Sequence, residues 1–147
     1  MKSVKCLFIL SVVLLQSCAS TGTRYNTDLK IPQLMEWVVD PAADAIFDSV
    51  GWVSNENGMT EKSPKTDEEW DQLKNQAAVL IESGNLLMLD GRALDKGDWF
   101  KFARALSAAG QKTLDSIIAH DKEELFKNGS MMDTVCENCH LKYAYPQ

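Results

Sequence analysis

Cysteine and histidine are scarce in this chain, and basic charge is outnumbered. Among 147 residues there are four cysteines and two histidines. Lysine and arginine number 15 against 21 aspartates and glutamates, for a net charge of −6. That balance disfavours nucleic acid and anionic lipid as partners. It suits docking to a basic face of another protein, although an acidic surface is also simply soluble. Long apolar runs are missing beyond the N-terminus, so no internal stretch can span a bilayer. Strand-like alternation and internal repeats are missing too. No acid–base pair or nucleophile–base set is recognisable, which argues against an enzyme.

The leader divides the four cysteines. Lys2 and Lys5 precede "CLFILSVVLL", an apolar run of about ten residues that reads as the core of a secretory signal. Residues 1–17 are therefore expected to leave on export, taking Cys6 with them. Leu15, Ser17 and Cys18 resemble a bacterial lipobox, in which the cysteine is lipidated and becomes the first residue. The alternative is ordinary cleavage nearby with Cys18 a free thiol, a liability in an oxidising compartment. Several acyl chains on Cys18 would hold the protein on a membrane. Residues 18–30 are small and polar, as a tether would be. The chain is expected in the periplasm, and the lack of aspartate after Cys18 points to the outer membrane where enterobacterial sorting rules apply. Cys136 and Cys139 then remain as the one available pair.

Residues 31–147 read as helices. Ile31, Leu34, Met35, Val38, Ala42, Ala45 and Ile46 recur at three-and-four spacing, the mark of an amphipathic helix. Pro41 should either kink it or sit in the first turn of a new helix capped by Asp40. Residues 53–65 are polar and predict a loop. Thr66 and Glu69 form a capping box for a second helix carrying Trp70, Leu73, Ala77, Leu80 and Ile81, stopped at Gly84-Asn85. An oddly apolar connection, Leu86 to Leu89, follows. A third helix, capped by Asp98, should run to Phe126 and break at Asn128-Gly129. A fourth should start near Ser130 and end near Tyr143. Four amphipathic helices predict an all-α fold, an antiparallel four-helix bundle.

The fourth helix carries "TVCENCHLKY", residues 134–143. Positions i, i+3 and i+4 share a helix face, so Cys136, Cys139 and His140 should point together into whatever that helix packs against. A disulfide between the two cysteines would strain a regular helix, and a thioredoxin-like dithiol needs a strand-to-helix setting. Structural zinc wants four ligands and would have to recruit His120 or a carboxylate. Haem needs two thiols for its vinyl groups and an adjacent imidazole for its iron. One covalently attached haem c is the expected cofactor, with its site on the C-terminal helix.

A helix bundle with Cys-x-x-Cys-His on its last helix, a few residues from the C-terminus, resembles the class II cytochromes c, the cytochrome c-prime group. The resemblance covers roughly residues 30–145, and its specific part is "CENCHLKY" with the aromatic Tyr143 three residues after His140. It implies thioethers at Cys136 and Cys139 and His140 as proximal iron ligand. Where family members often carry arginine after the aromatic, this chain has Ala144, with Lys142 the nearest base. In the family the first helix supplies the residue facing the other side of the iron. Methionine there marks low-spin electron carriers, and an apolar residue marks open sites that bind small gases. The resemblance thus implies Met35 as sixth ligand, with Leu34 as the alternative blocking residue. Met59, Met88, Met131 and Met132 fit less well.

The remaining candidates have plainer readings. Trp37, Trp52, Trp70 and Trp99 are expected as core or haem-wall aromatics. His120 is expected to be solvated. Arg24, Arg92 and Arg104 are candidates for pairing with haem propionates. The expected function is a membrane-anchored monohaem cytochrome passing single electrons between redox partner proteins. A five-coordinate gas-binding cytochrome and a non-haem metal-binding adaptor lipoprotein are the alternatives. Family members often pair through their first two helices, so the resemblance also implies a homodimer.

Overall fold

A computed structural model describes residues 25 to 144. The leader, Cys18 and Arg24 lie outside the described residues. The described residues are mostly helical, 68% helix in four helices with one small two-stranded sheet, as the all-α class requires. Among the described residues no helix is long and apolar enough to cross a membrane.

The first helical segment is continuous. It comprises α1 (Ile31–Leu34), a π-helical turn (Met35–Val39) and α2 (Asp40–Phe47). Pro41 explains the wide turn. Its ring crowds the carbonyl four residues back and it offers no N–H. The Asp40 N–H reaches back five residues to the Met35 carbonyl instead, the π pattern. Asp40 is itself helical (φ −60°, ψ −48°), so it does not cap a new helix.

The expected loop after this segment is a hairpin. β1 (Gly51–Asn55) pairs antiparallel with β2 (Gly58–Lys62), Gly51 opposite Lys62 and Asn55 opposite Gly58. Gly58 takes φ +113° at the turn, a conformation open to glycine. The Asn55 side chain accepts the Asn57 N–H at 2.9 Å. Neither face of this ribbon is buried, so it lacks the alternation that betrays a strand in sequence. Trp52 meets Phe126 edge to face at 5.5 Å, and Lys122 pairs with Glu61.

α3 (Asp67–Leu87) begins with the expected capping box: the Thr66 hydroxyl accepts the Glu69 N–H and the Glu69 carboxylate accepts the Thr66 N–H. Gly84 does not stop it. A Cβ there would lie 2.4 Å from the Ala103 carbonyl oxygen, so glycine at this point lets α3 approach α4 (Asp98–Ile118) closely. Asp98 is the first residue of α4 and not its cap. Asp95 does that work, accepting the Gly97 N–H at 2.7 Å and the Trp99 N–H at 3.1 Å.

The third expected boundary is displaced by about two helical turns. The break falls at Ala119–Asp121, where His120 takes φ 53°. Asp121 then caps α5 (Lys122–Tyr143) by accepting the Glu123 and Glu124 N–H groups. α5 runs straight through Asn128-Gly129. The Asn128 amide is turned inward, donating to Ser116 Oγ at 2.7 Å and to the Lys112 carbonyl. Gly129 lies where a Cβ would just touch Phe47 and Ile46. The last helix therefore starts at Lys122 and not at Ser130.

α3 packs on α4, α4 on α5, and α2 on both α3 and α5. Leu34, Ile46, Leu80, Ile117, Leu125 and Met132 are fully enclosed between them. Trp70 and Trp99 join this core as expected. Trp37 and Trp52 do not, being 59% and 61% exposed. The His120 ring is exposed and stacks on Trp70, centroids 4.8 Å apart. Arg92 is buried and donates to the carbonyls of Asn26, Leu29 and Leu86, holding the segment before α1 against the end of α3.

Candidate functional site

α5 presents Cys136, Cys139 and His140 to one cavity of about 550 Å³. That volume is in the range of small-molecule and cofactor sites. The first helical segment contributes Met35, Val39, Ala43 and Phe47 to its walls, and α3 contributes Leu87. Trp99, Phe102, Ala103 and Leu106 of α4 complete the apolar lining. Asp40, Asp44, Asp133, Glu137 and Leu141 also line it and are exposed, so the cavity opens to solvent beside them.

Both cysteines are free thiols, partly buried. Burial pushes the Cys136 thiol up to about 11, with the nearby Asp133, Asp40 and Cys139 adding to the effect. Burial also raises Cys139. A redox dithiol needs a thiolate favoured by positive surroundings; these two are held neutral. Burial raises the Asp40 carboxyl as well, opposed by His140 and reinforced by Asp44 and Glu36.

Met35 is the methionine of the cavity. Its position in the π-helical turn aims it at the lining, whereas Leu34 beside it is buried in the core. Met59 is exposed on the hairpin, Met131 is exposed on α5, Met132 is enclosed, and Met88 packs against the core at the end of α3. None of these four lines the cavity. Met35, Cys136, Cys139 and His140 are thus brought together. The candidate arginines are not: Arg92 is engaged with backbone carbonyls, and Arg104 lies 5.6 Å over the Phe100 ring. His120 is also elsewhere.

Sequence reasoning missed what holds this end of α5. The Tyr143 hydroxyl donates to Asp95, and Lys142 pairs with Asp98. Trp99 stands edge-on to Tyr143 at 5.1 Å, and its indole N–H donates to the Leu87 carbonyl at 2.8 Å. Desolvation, together with the Asp95 carboxylate, pushes the Tyr143 phenol up to about 12. Asp95 is held below the usual carboxylate range by the Tyr143 phenol, then by the Trp99 and Gly97 N–H groups and Lys142. In sequence Asp95 is one polar residue in a polar connection, with no signal to distinguish it.

The donor set is two neutral thiols and an imidazole on one helix face, with a thioether from another helix, around an aromatic and aliphatic hollow. Those residues fit a flat apolar macrocycle with a metal at its centre. No protein-family model, curated protein or solved structure matches the chain.

Proposed function

We propose that the chain is an exported, lipid-anchored monohaem c-type cytochrome that carries single electrons between proteins, built on a four-helix bundle of the class II type. The reading is supported above all by the convergence of Met35 with Cys136, Cys139 and His140 on one apolar cavity. Bound haem supplies a one-electron couple at its iron. Cys136 and Cys139 would hold the haem as thioethers, by addition of each thiol across a vinyl group, which needs no oxidant. His140, by its imidazole, and Met35, by its thioether, would be the residues that hold the iron. Val39, Leu87, Trp99, Phe102 and Leu106 exclude water, and this low-dielectric wall and the thioether both favour the reduced state. Asp95 and Asp98 fasten the end of α5 and so keep His140 aimed at the cavity.

The test is the visible spectrum of the protein co-expressed with haem-attachment machinery, oxidised and reduced, with and without carbon monoxide. An electron carrier gives a low-spin spectrum with a methionine-to-iron charge-transfer band, indifferent to carbon monoxide. Met35→Ala should convert it to a high-spin form that binds carbon monoxide. A wild-type spectrum already high-spin would favour the gas-binding alternative, and a low-spin spectrum persisting in Met35→Ala would remove Met35 as ligand. Absence of covalent haem would return the motif to a metal clip.

A further inference from the structure

The cavity mouth has an unusual charge pattern. Asp40 and Asp44 on α2 and Asp133 and Glu137 on α5 are all exposed, and no lysine or arginine lines the cavity with them. Elsewhere on the described surface some carboxylates are matched by lysines, Asp71 by Lys74, Asp90 by Lys96, Glu61 by Lys122, Glu124 by Lys127 and Asp98 by Lys142, while Asp28, Glu56, Glu68 and Asp115 are scattered singly without one. Among the described residues none of the four mouth carboxylates is paired with a lysine or arginine; Asp40 does feel the His140 imidazole. Each helix also carries its two acids four residues apart, a like-charge spacing that weakens a helix. Four carboxylates and no lysine or arginine thus gather around one opening, where they meet the apolar cavity.

Apolar surface accompanies the charge. Leu141, which lines the cavity, is 52% exposed, and Trp37 stands exposed one turn before Asp40. An apolar centre with a charged rim is the anatomy of a protein interface, and charge complementarity across such a rim speeds encounter and selects the partner. We infer that the cavity mouth is the docking face for the lysine-rich surface of a protein electron carrier, an inference that takes the nature of the partner from the cytochrome reading above. The exposed carboxylates steer the basic face in, and Leu141 and Trp37 supply dry contact next to the site.

The probe is an ordinary lysine-rich cytochrome c, titrated into the nitrogen-labelled protein while amide shifts are followed. Shifts should gather on residues 36–44 and 133–141, and affinity should fall about tenfold between about 10 and about 200 mM salt. Neutralising the mouth (Asp40→Asn, Asp44→Asn, Asp133→Asn, Glu137→Gln) should weaken binding about tenfold at low salt. Neutralising four other exposed carboxylates (Asp28→Asn, Glu56→Gln, Glu68→Gln, Asp115→Asn) changes net charge equally and should weaken it no more than about twofold. Equal losses in the two variants, or shifts centred elsewhere, would overturn the docking face. The spectrum is recorded on the same samples. Shifts at the mouth without covalent haem would sink the cytochrome reading and leave the docking face standing. A haem spectrum with shifts elsewhere would do the reverse.

Discussion

The two halves of α5 do different jobs with the same backbone. From Lys122 to Met132 the helix is a strut: Leu125, Asn128, Gly129 and Met132 are its buried residues. From Asp133 to Tyr143 none of its side chains is fully buried, and Val135, Cys136, Cys139 and His140 face the cavity in partial exposure. The first half is held by close packing; the second is held at its end, by Tyr143 on Asp95 and Lys142 on Asp98. A helix that must leave space beside itself cannot rely on burial, so polar ties to a neighbouring connection replace it. The cost of that arrangement is local: the cavity half should open more readily than the strut half.

The widest contrast between the halves comes from truncating one residue in each. Leu125→Ala empties a fully enclosed site and should cost about 2–5 kcal/mol in denaturant unfolding. Cys136→Ala, at a partly buried position, should cost less than about 1 kcal/mol, and on the cytochrome reading it would also remove one of the two proposed thioethers. Comparable losses from the two would mean that the cavity half is packed as tightly as the strut.

A smaller effect should follow from cutting the end tie alone. Asp95→Asn should raise amide exchange over residues 139–144 and leave residues 125–132 protected. Acid should do the same without mutation. Asp95 titrates below its ordinary 3.8 when folded, so its tie contributes stability above that value and loses it as pH falls through the lower folded one. Asp98, held down by Lys142, loses its contribution in the same window. The Tyr143 phenol, near 12, stays protonated throughout and remains the donor. Loosening confined to residues 139–144 as pH falls below the ordinary 3.8 is the expected outcome; simultaneous loosening of both halves would show that α5 melts as one unit.

The same division explains what could be read in advance. Helices α3 and α4 were legible because their apolar stripes are buried and their periodicity reports it, from Trp70 to Leu80 and from Trp99 to Ile117. Cys136, Cys139 and His140 were legible as a set because spacing on a helix fixes a common face. Asn128-Gly129 misled, since a strong local turn signal was overridden by the bond from Asn128 to Ser116 and the fit of Gly129 against Phe47. The boundary signal that the fold uses is Asp121, whose side chain accepts the Glu123 and Glu124 N–H groups. The hairpin had no buried face to announce it, and Trp37 and Trp52 are exposed where their size argued for burial. Asp95 acts through loop geometry, which single-sequence periodicity does not encode.

The π-helical turn at Met35–Val39 has a consequence for how such a protein could change its chemistry. A wide turn holds one residue more than the α-helix would use. Deleting a single residue from Glu36–Val39 would leave Met35 four residues before Asp40, so ordinary winding would return with Met35 still in its place beside the cavity. Removing the bulge without a deletion, as Pro41→Ala should, would instead turn everything before it by about 100° relative to α2 and bring Glu36 toward the place of Met35, so that a carboxylate replaces the thioether. On the cytochrome reading, a low-spin spectrum kept by the deletion variant and lost in Pro41→Ala would show that helical phase alone decides which residue faces the site.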